Sequence, residues 1–154
     1  MTLPAKPQPA FGHVACCIDE SPESLRTLEH VRDVWAPSGG RLSIVHVTPK
    51  PLMFETIDGE PAVSPDDISS RQRRWLDARA AGVPGAQAVV LEGLPGPEIC
   101  RWAADAGVDL LVAAAHGGGP LAVLGSVTRY LVSHAPCPVL VVRGGSTTPT
   151  EAPN

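Results

Sequence analysis

The chain has 154 residues, enough for one domain with a sizeable core, and a formal net charge of −4. Only Lys6 and Lys50 are lysines, and the densest group of arginines, Arg71, Arg73, Arg74 and Arg79, lies among Asp66, Asp67 and Asp77. That is the pattern of a solvated helix face rather than a basic stripe, so nucleic acid is excluded as an expected partner.

The first apolar run, His13 to Ile18 (HVACCI), predicts a strand that ends at Asp19 and Glu20. Ser21-Pro22 then opens a helix, with Ser as N-cap and Pro at the first helical position. Leu25, Leu28, Val31 or Arg32, and Trp35 follow at helical spacing, and Pro37 to Gly40 stop the helix. Leu42 to Val47 (LSIVHV) predicts the second strand, which completes a β-α-β unit long enough for a parallel crossover. His46 within it is expected to be packed and hydrogen-bonded rather than catalytic. Residues 48–65 carry four prolines and predict an irregular segment, tacked to the core by Met53 and Phe54.

Asp66 to Ala81 predicts the second helix, with Ile68, Trp75, Leu76 and Ala80 inward, and Gln87 to Leu91 the third strand. Gly93 to Gly96 are expected to turn the chain, so that Pro97 opens the third helix and Gly107 closes it. Ile99, Trp102, Ala103 and Ala106 make its apolar face. Leu110 to Ala115 is the fourth strand, too short to span a membrane. His116 and three glycines, Gly117, Gly118 and Gly119, follow it.

Ser126 after Gly125 reads as the N-cap of a last helix, whose face carries Val127, Tyr130, Leu131 and His134. Tyr130 is expected to pack there rather than stack on a ligand. Pro136 and Pro138 end this helix, and Val139 to Val142 is the fifth strand. Strands alternating with helices imply a parallel sheet covered on both faces.

Cys16, Cys17, Cys100 and Cys137 form no CxxC pair, so neither a zinc site nor a disulfide framework is expected. Cys16 and Cys17, in an apolar run, read as small buried hydrophobes. The N-terminal stretch lacks the apolar core of a signal peptide. The expectation is a soluble cytoplasmic protein with no membrane partner, in which residues 10–143 fold and residues 1–9 and 144–154 are flexible tails.

A glycine loop running into a helix N-terminus suits an anion, because the backbone comes close and bare N–H groups favour phosphate. The plainer reading is that the glycines only turn the chain and Ser126 only caps. No Walker lysine and no G-x-S-x-G element is present.

The stretch Gly125 to Val142, GSVTRYLVSHAPCPVLVV, resembles the universal stress protein family, as do Asp19 with Ser21-Pro22-Glu23 and the strand LSIVHVTP. The resemblance covers His13 to Arg143. It implies an open, doubly wound, five-stranded parallel α/β sheet of order 3-2-1-4-5, like that of the adenine nucleotide α-hydrolases. Its switch point would lie between the first and fourth strands, where ligands of such sheets bind.

The nucleotide-binding branch of the family holds ATP there. Carried over by position, Asp19 would meet the adenosine and the backbone at Val47 the adenine. Gly117, Gly125 and Ser126 would cradle the phosphates, Gly118 and Gly119 would line the turn, and His116 and Val127 would complete the site. The family loop reads Gly-x2-Gly-x9-Gly-Ser/Thr. Here Ala114 replaces the first glycine, and seven residues separate Gly117 from Gly125. The ligand the resemblance implies is ATP, or else ADP or AMP, with or without magnesium. A shorter loop without a cation counts against the triphosphate, so that a mono- or dinucleotide could fit better. No catalytic residue and no protein metal ligand stands out, and ATP hydrolysis, if present, is expected to be slow. The resemblance further implies a homodimer through Val139 to Val142, with an unidentified protein partner. The other branch of the family leaves a second reading, a dimeric interaction protein without nucleotide.

Overall fold

A computed structural model describes residues 9–50, 65–116 and 124–143. The elements run β1 (His13–Cys17), α1 (Pro22–Trp35), β2 (Arg41–Thr48), α2 (Pro65–Ala81), β3 (Ala86–Glu92), α3 (Pro95–Ala106), β4 (Leu110–Ala114), α4 (Ser126–His134) and β5 (Val139–Val142). A short 3-10 turn, Ala36–Ser38, follows α1. The five strands form one parallel sheet in the order β3-β2-β1-β4-β5. The expected fold is therefore found, including its switch point between β1 and β4.

Burial follows from that order. Every residue of β1 and β4 is buried, because the central strands are covered on both faces. Alternate side chains feed two cores. Val14, Cys16, Ile18 and Ile44 meet Leu28 and Val31 of α1 and Leu76 and Ala80 of α2. Ala15, Cys17, Val45, Val47, Leu111 and Ala113 meet Ile99 and Ala103 of α3 and Leu131 of α4. Cys16 and Cys17 are thus core residues, as expected. Burial pushes the Cys16 thiol up to about 12 and holds Cys17 well above the ordinary range.

Three expectations need correction. Helix α3 begins at Pro95, not Pro97, so Gly96 belongs to its first turn rather than to the preceding turn. Both prolines are tolerated because the first-turn N–H groups have no helical partner. Gly96 is needed there for another reason: a Cβ would lie 2.6 Å from the Tyr130 ring. The turn itself falls on Gly93, whose φ of +131° favours glycine. Second, Ile68 does not face inward and is 37% exposed. The buried residues of α2, Leu76 and Ala80, lie in its C-terminal half. Helical spacing marks a face without saying how far along it the sheet reaches.

Third, Ser126 is not the N-cap of α4. Gly125 holds that position, with extended φ and ψ, and Ser126 is the first helical residue. Both residue types are favoured caps, so the sequence alone placed the boundary one residue late. The inner face of α4 is Thr128 and Leu131, flanked by the half-buried Val127 and Tyr130, while His134 is exposed. Tyr130 packs on Gly96 as a helix-face residue, with the His134 ring stacked on it at 4.1 Å.

Candidate functional site: a cleft at the carboxyl ends of β1, β2 and β4

Parallel strands that end together at a switch point leave a crevice there. In this chain it is a cleft of about 120 Å³, lined by Ile18, Asp19 and Ser24 on the β1 side and by Val45, His46 and Val47 of β2. Ala113, Ala114 and His116 from the end of β4 line the opposite side, with Pro95 and Ile99 of α3 and Val127 and Thr128 of α4.

Asp19 is held by the turn into α1. Its Oδ1 accepts from the Ser21 N–H at 2.8 Å, and its own N–H donates to Ser24 Oγ at 3.1 Å. Ser21 is the cap expected from sequence, its hydroxyl accepting from the Ser24 N–H at 3.2 Å. Partial burial works to raise the Asp19 pKa and is the largest single influence. Hydrogen bonds from Ser21 and Ser24, with the charge of His116, outweigh it, and the pKa falls below the ordinary carboxylate value. Asp19 is therefore a fixed carboxylate at the cleft mouth, with acceptor capacity beyond its contact to Ser21.

The opposite wall is tied down by a residue the sequence reading missed. Thr128 is buried in α4, and its Oγ1 donates to the Ala114 carbonyl at 2.9 Å. That bond fixes the start of α4 against the end of β4. A tally of apolar residues cannot find it, because Thr128 is polar and its partner lies fourteen residues away. Gly125 borders the site through contact: a Cβ there would clash with the His116 ring at Cδ2. Its φ of −61° is ordinary, so close approach and not backbone freedom is what requires glycine. The first amides of α4 are left without helical acceptors and present positive dipole at this wall.

Asp19, Val47, His116 and Val127 thus line one cleft, and Gly125 supports it. Ser126 is exposed beside it and is not among its lining residues. Gly117, Gly118 and Gly119, together with Met53 and Phe54, lie outside the described residues. Among the described residues, no lysine or arginine lines the cleft, and no group of three His, Cys, Asp or Glu side chains could hold a metal. No helix among them is long and apolar enough to cross a membrane.

Comparison with known proteins agrees with this architecture. The model of the universal stress protein family matches residues 10–143. A universal stress protein of Thermus aquaticus is 35% identical over 141 residues, covering 86% of this chain and 99% of that one. The solved UspA of Lactobacillus plantarum shares the fold, with a TM-score of 0.66 and 23% identity over 86% of this chain and 98% of that one. Some solved neighbours carry adenine nucleotides. A family member from Arabidopsis thaliana holds AMP (TM-score 0.62, 20% identity, covering 90% and 97% of the two chains). Another is in complex with cAMP (0.63, 24%, 87% and 98%). The protein from Archaeoglobus fulgidus is in complex with dAMP (0.59, 18%, 85% and 96%). With the fold, the switch-point cleft and a family match over residues 10–143 in agreement, the chain belongs to the universal stress protein family.

Proposed function

We propose that the chain is a stress-response or signalling protein that binds an adenine nucleotide in the β1/β4 cleft, with AMP or ADP preferred over ATP. One observation carries the reading: a fixed acceptor, Asp19, faces a helix N-terminus across a cleft whose floor includes the end of β2. Asp19 suits the ribose hydroxyls, Val47 the adenine edge, and the α4 amides with His116 a phosphate. The AMP, dAMP and cAMP held by relatives support the class of ligand.

The preference for fewer phosphates rests on charge and loop length. A triphosphate brings about four negative charges into a cleft that, among the described residues, is lined by one carboxylate and no lysine or arginine. Only seven residues, rather than nine, join Gly117 to Gly125. Magnesium, if it enters, is held through the nucleotide's phosphates. Without a lysine or arginine to neutralise developing charge, ATP hydrolysis stays below about 1 per second.

Thermal unfolding with AMP, ADP and magnesium-ATP tests the proposal. A ligand at about 100 times its Kd adds about 2.7 kcal/mol, which raises Tm by roughly 5–10 °C for a domain of this size. AMP and ADP are expected to give that shift, and Asp19→Ala and Gly125→Ala to remove most of it. The alternative, a dimeric interaction protein without nucleotide, is favoured by Ala114 at the position of the first loop glycine. No shift with any nucleotide at millimolar concentration would establish that reading instead.

A further inference from the structure

The way β1 ends explains how the main-chain edge of Val47 comes to be available. In a parallel ladder, alternate residues turn their N–H and C=O toward the same neighbouring strand. Val45 faces β1, since its carbonyl accepts from the Ile18 N–H at 2.9 Å. Thr48 faces β3, since its carbonyl accepts from the Gly93 N–H at 2.9 Å. Val47 therefore faces the β1 side. The next rung of that ladder would run from the Val47 N–H to the Ile18 carbonyl.

That rung is not made. The pairing of β1 with β2 stops at Cys17↔Val45, and Ile18 lies outside the strand. The Ile18 carbonyl instead meets His46 Nδ1 at 2.9 Å. A carbonyl can only accept, so Nδ1 carries the proton in this bond. His46 is 8% exposed, and its ring lies 5.1 Å from that of Trp75, so the imidazole has little room to leave. Ile18, His46 and Val47 all line the cleft.

We propose that His46 is a positioning residue: by engaging the Ile18 carbonyl, it holds β1 short and leaves the main-chain N–H and C=O of Val47 open to the adenine. The inference rests on the adenine-nucleotide reading of the cleft and adds a cause for it. Remove the Nδ1–H, and a buried carbonyl loses its donor. The nearest replacement is the Val47 N–H, one rung along. The ladder then closes over the edge that the base would use.

Two variants separate this role from simple packing. His46→Phe keeps an aromatic ring against Trp75 but has no donor. His46→Asn places an amide N–H close to where Nδ1 lies. In the ligand-free protein, hydrogen exchange at the Val47 amide is expected to be fast in the wild type and in His46→Asn, and at least ten-fold slower in His46→Phe. With ligand, the Kd for AMP is expected to rise about ten-fold in His46→Phe, the scale of one lost hydrogen bond, and to recover in His46→Asn. Affinity for ribose 5-phosphate, which lacks the base, should be the same in all three.

Unchanged Val47 exchange in His46→Phe overturns the inference. So does an AMP affinity that falls equally in both variants, or in step with that for ribose 5-phosphate. If the wild type binds no AMP, the nucleotide reading of the cleft fails. The exchange measurement then still decides whether His46 holds the ladder open.

Discussion

Thr48 and His13 show how differently two buried polar side chains can bear on stability. The Thr48 hydroxyl is buried and has no hydrogen-bond partner among the described residues. An unsatisfied buried hydroxyl costs about 1–3 kcal/mol, and an apolar group of the same shape removes that cost. Thr48→Val is therefore expected to stabilise the fold by about 1 kcal/mol, read from urea unfolding, and an equal loss would show that the hydroxyl is bonded in solution. His13 is the opposite case. Its Nε2 lies 2.8 Å from Ser43 Oγ and its Nδ1 lies 3.3 Å from the Ala106 carbonyl, while its main-chain N–H donates to Asp109 Oδ2 at 2.8 Å. Burial lowers its pKa first, and the Arg41 charge adds to this, against the opposing pull of the Ala106 carbonyl and Asp109. A histidine whose folded pKa lies below its unfolded value binds its proton more readily when unfolded. Its contribution to stability is thus full above about pH 6.5 and is lost as pH falls through the lower folded value. Unfolding free energy should decline from pH 7.5 to pH 5, and more steeply in the wild type than in His13→Gln. Parallel pH profiles for the two proteins would remove His13 as the cause.

Contact between elements is set by the smallest residues. Helices α3 and α4 meet where Gly96 lies under Tyr130, and a methyl group added at Gly96 would come within 2.6 Å of the ring. Gly96→Ala forces either the helices or the ring to move, at an expected cost of about 1–3 kcal/mol. Chemical denaturation measures it, and full wild-type stability would mean that the two helices slide freely. The sequence could not forecast this contact, because Gly96 resembles an ordinary turn glycine between two prolines. Other features were readable. Ser21-Pro22 marked the start of α1, and five short apolar runs marked the five strands, since each pattern has a local physical cause. Strand order was not local and came from the resemblance carried by Gly125 to Val142. The cleft was legible at Asp19 and His116, which stand where strands end, and the resemblance added Val47 and Val127, which line it as well. The bonds from Thr128 to Ala114 and from His46 to Ile18 were not, because they join residues fourteen and twenty-eight positions apart. Periodicity carries no information about such pairs.

For the whole molecule, the remaining question is how the sheet ends. β5 is an edge strand in the single chain, and its free side follows from its bonded one. The carbonyls of Pro138 and Val142 accept from the N–H of Leu111 in β4 and of Ala115 just past its end, at 3.0 and 2.9 Å. Pro138, Leu140 and Val142 thus face β4, and Val139 and Val141 turn their N–H and C=O outward. Leu140 and Val132 add exposed apolar side chains in the last strand and the helix before it, at 36% and 53%. An apolar edge of this kind invites pairing, and a two-fold axis would set a second β5 antiparallel to the first. We therefore expect a homodimer, seen by light scattering at micromolar concentration as twice the 16.0 kDa chain mass. Val141→Pro is the sharpest probe of the geometry. It deletes an outward N–H, spares the bonds to β4, and introduces a residue that edge strands tolerate. The expected result is a folded monomer that keeps its affinity for AMP, because the cleft lies at the carboxyl ends of β1, β2 and β4 and takes no residue from β5. A monomeric wild type would rule the dimer out. A dimeric Val141→Pro would move the interface away from this edge. Loss of AMP binding on dissociation would show that the second copy shapes the cleft, and that the nucleotide and the dimer are one coupled device.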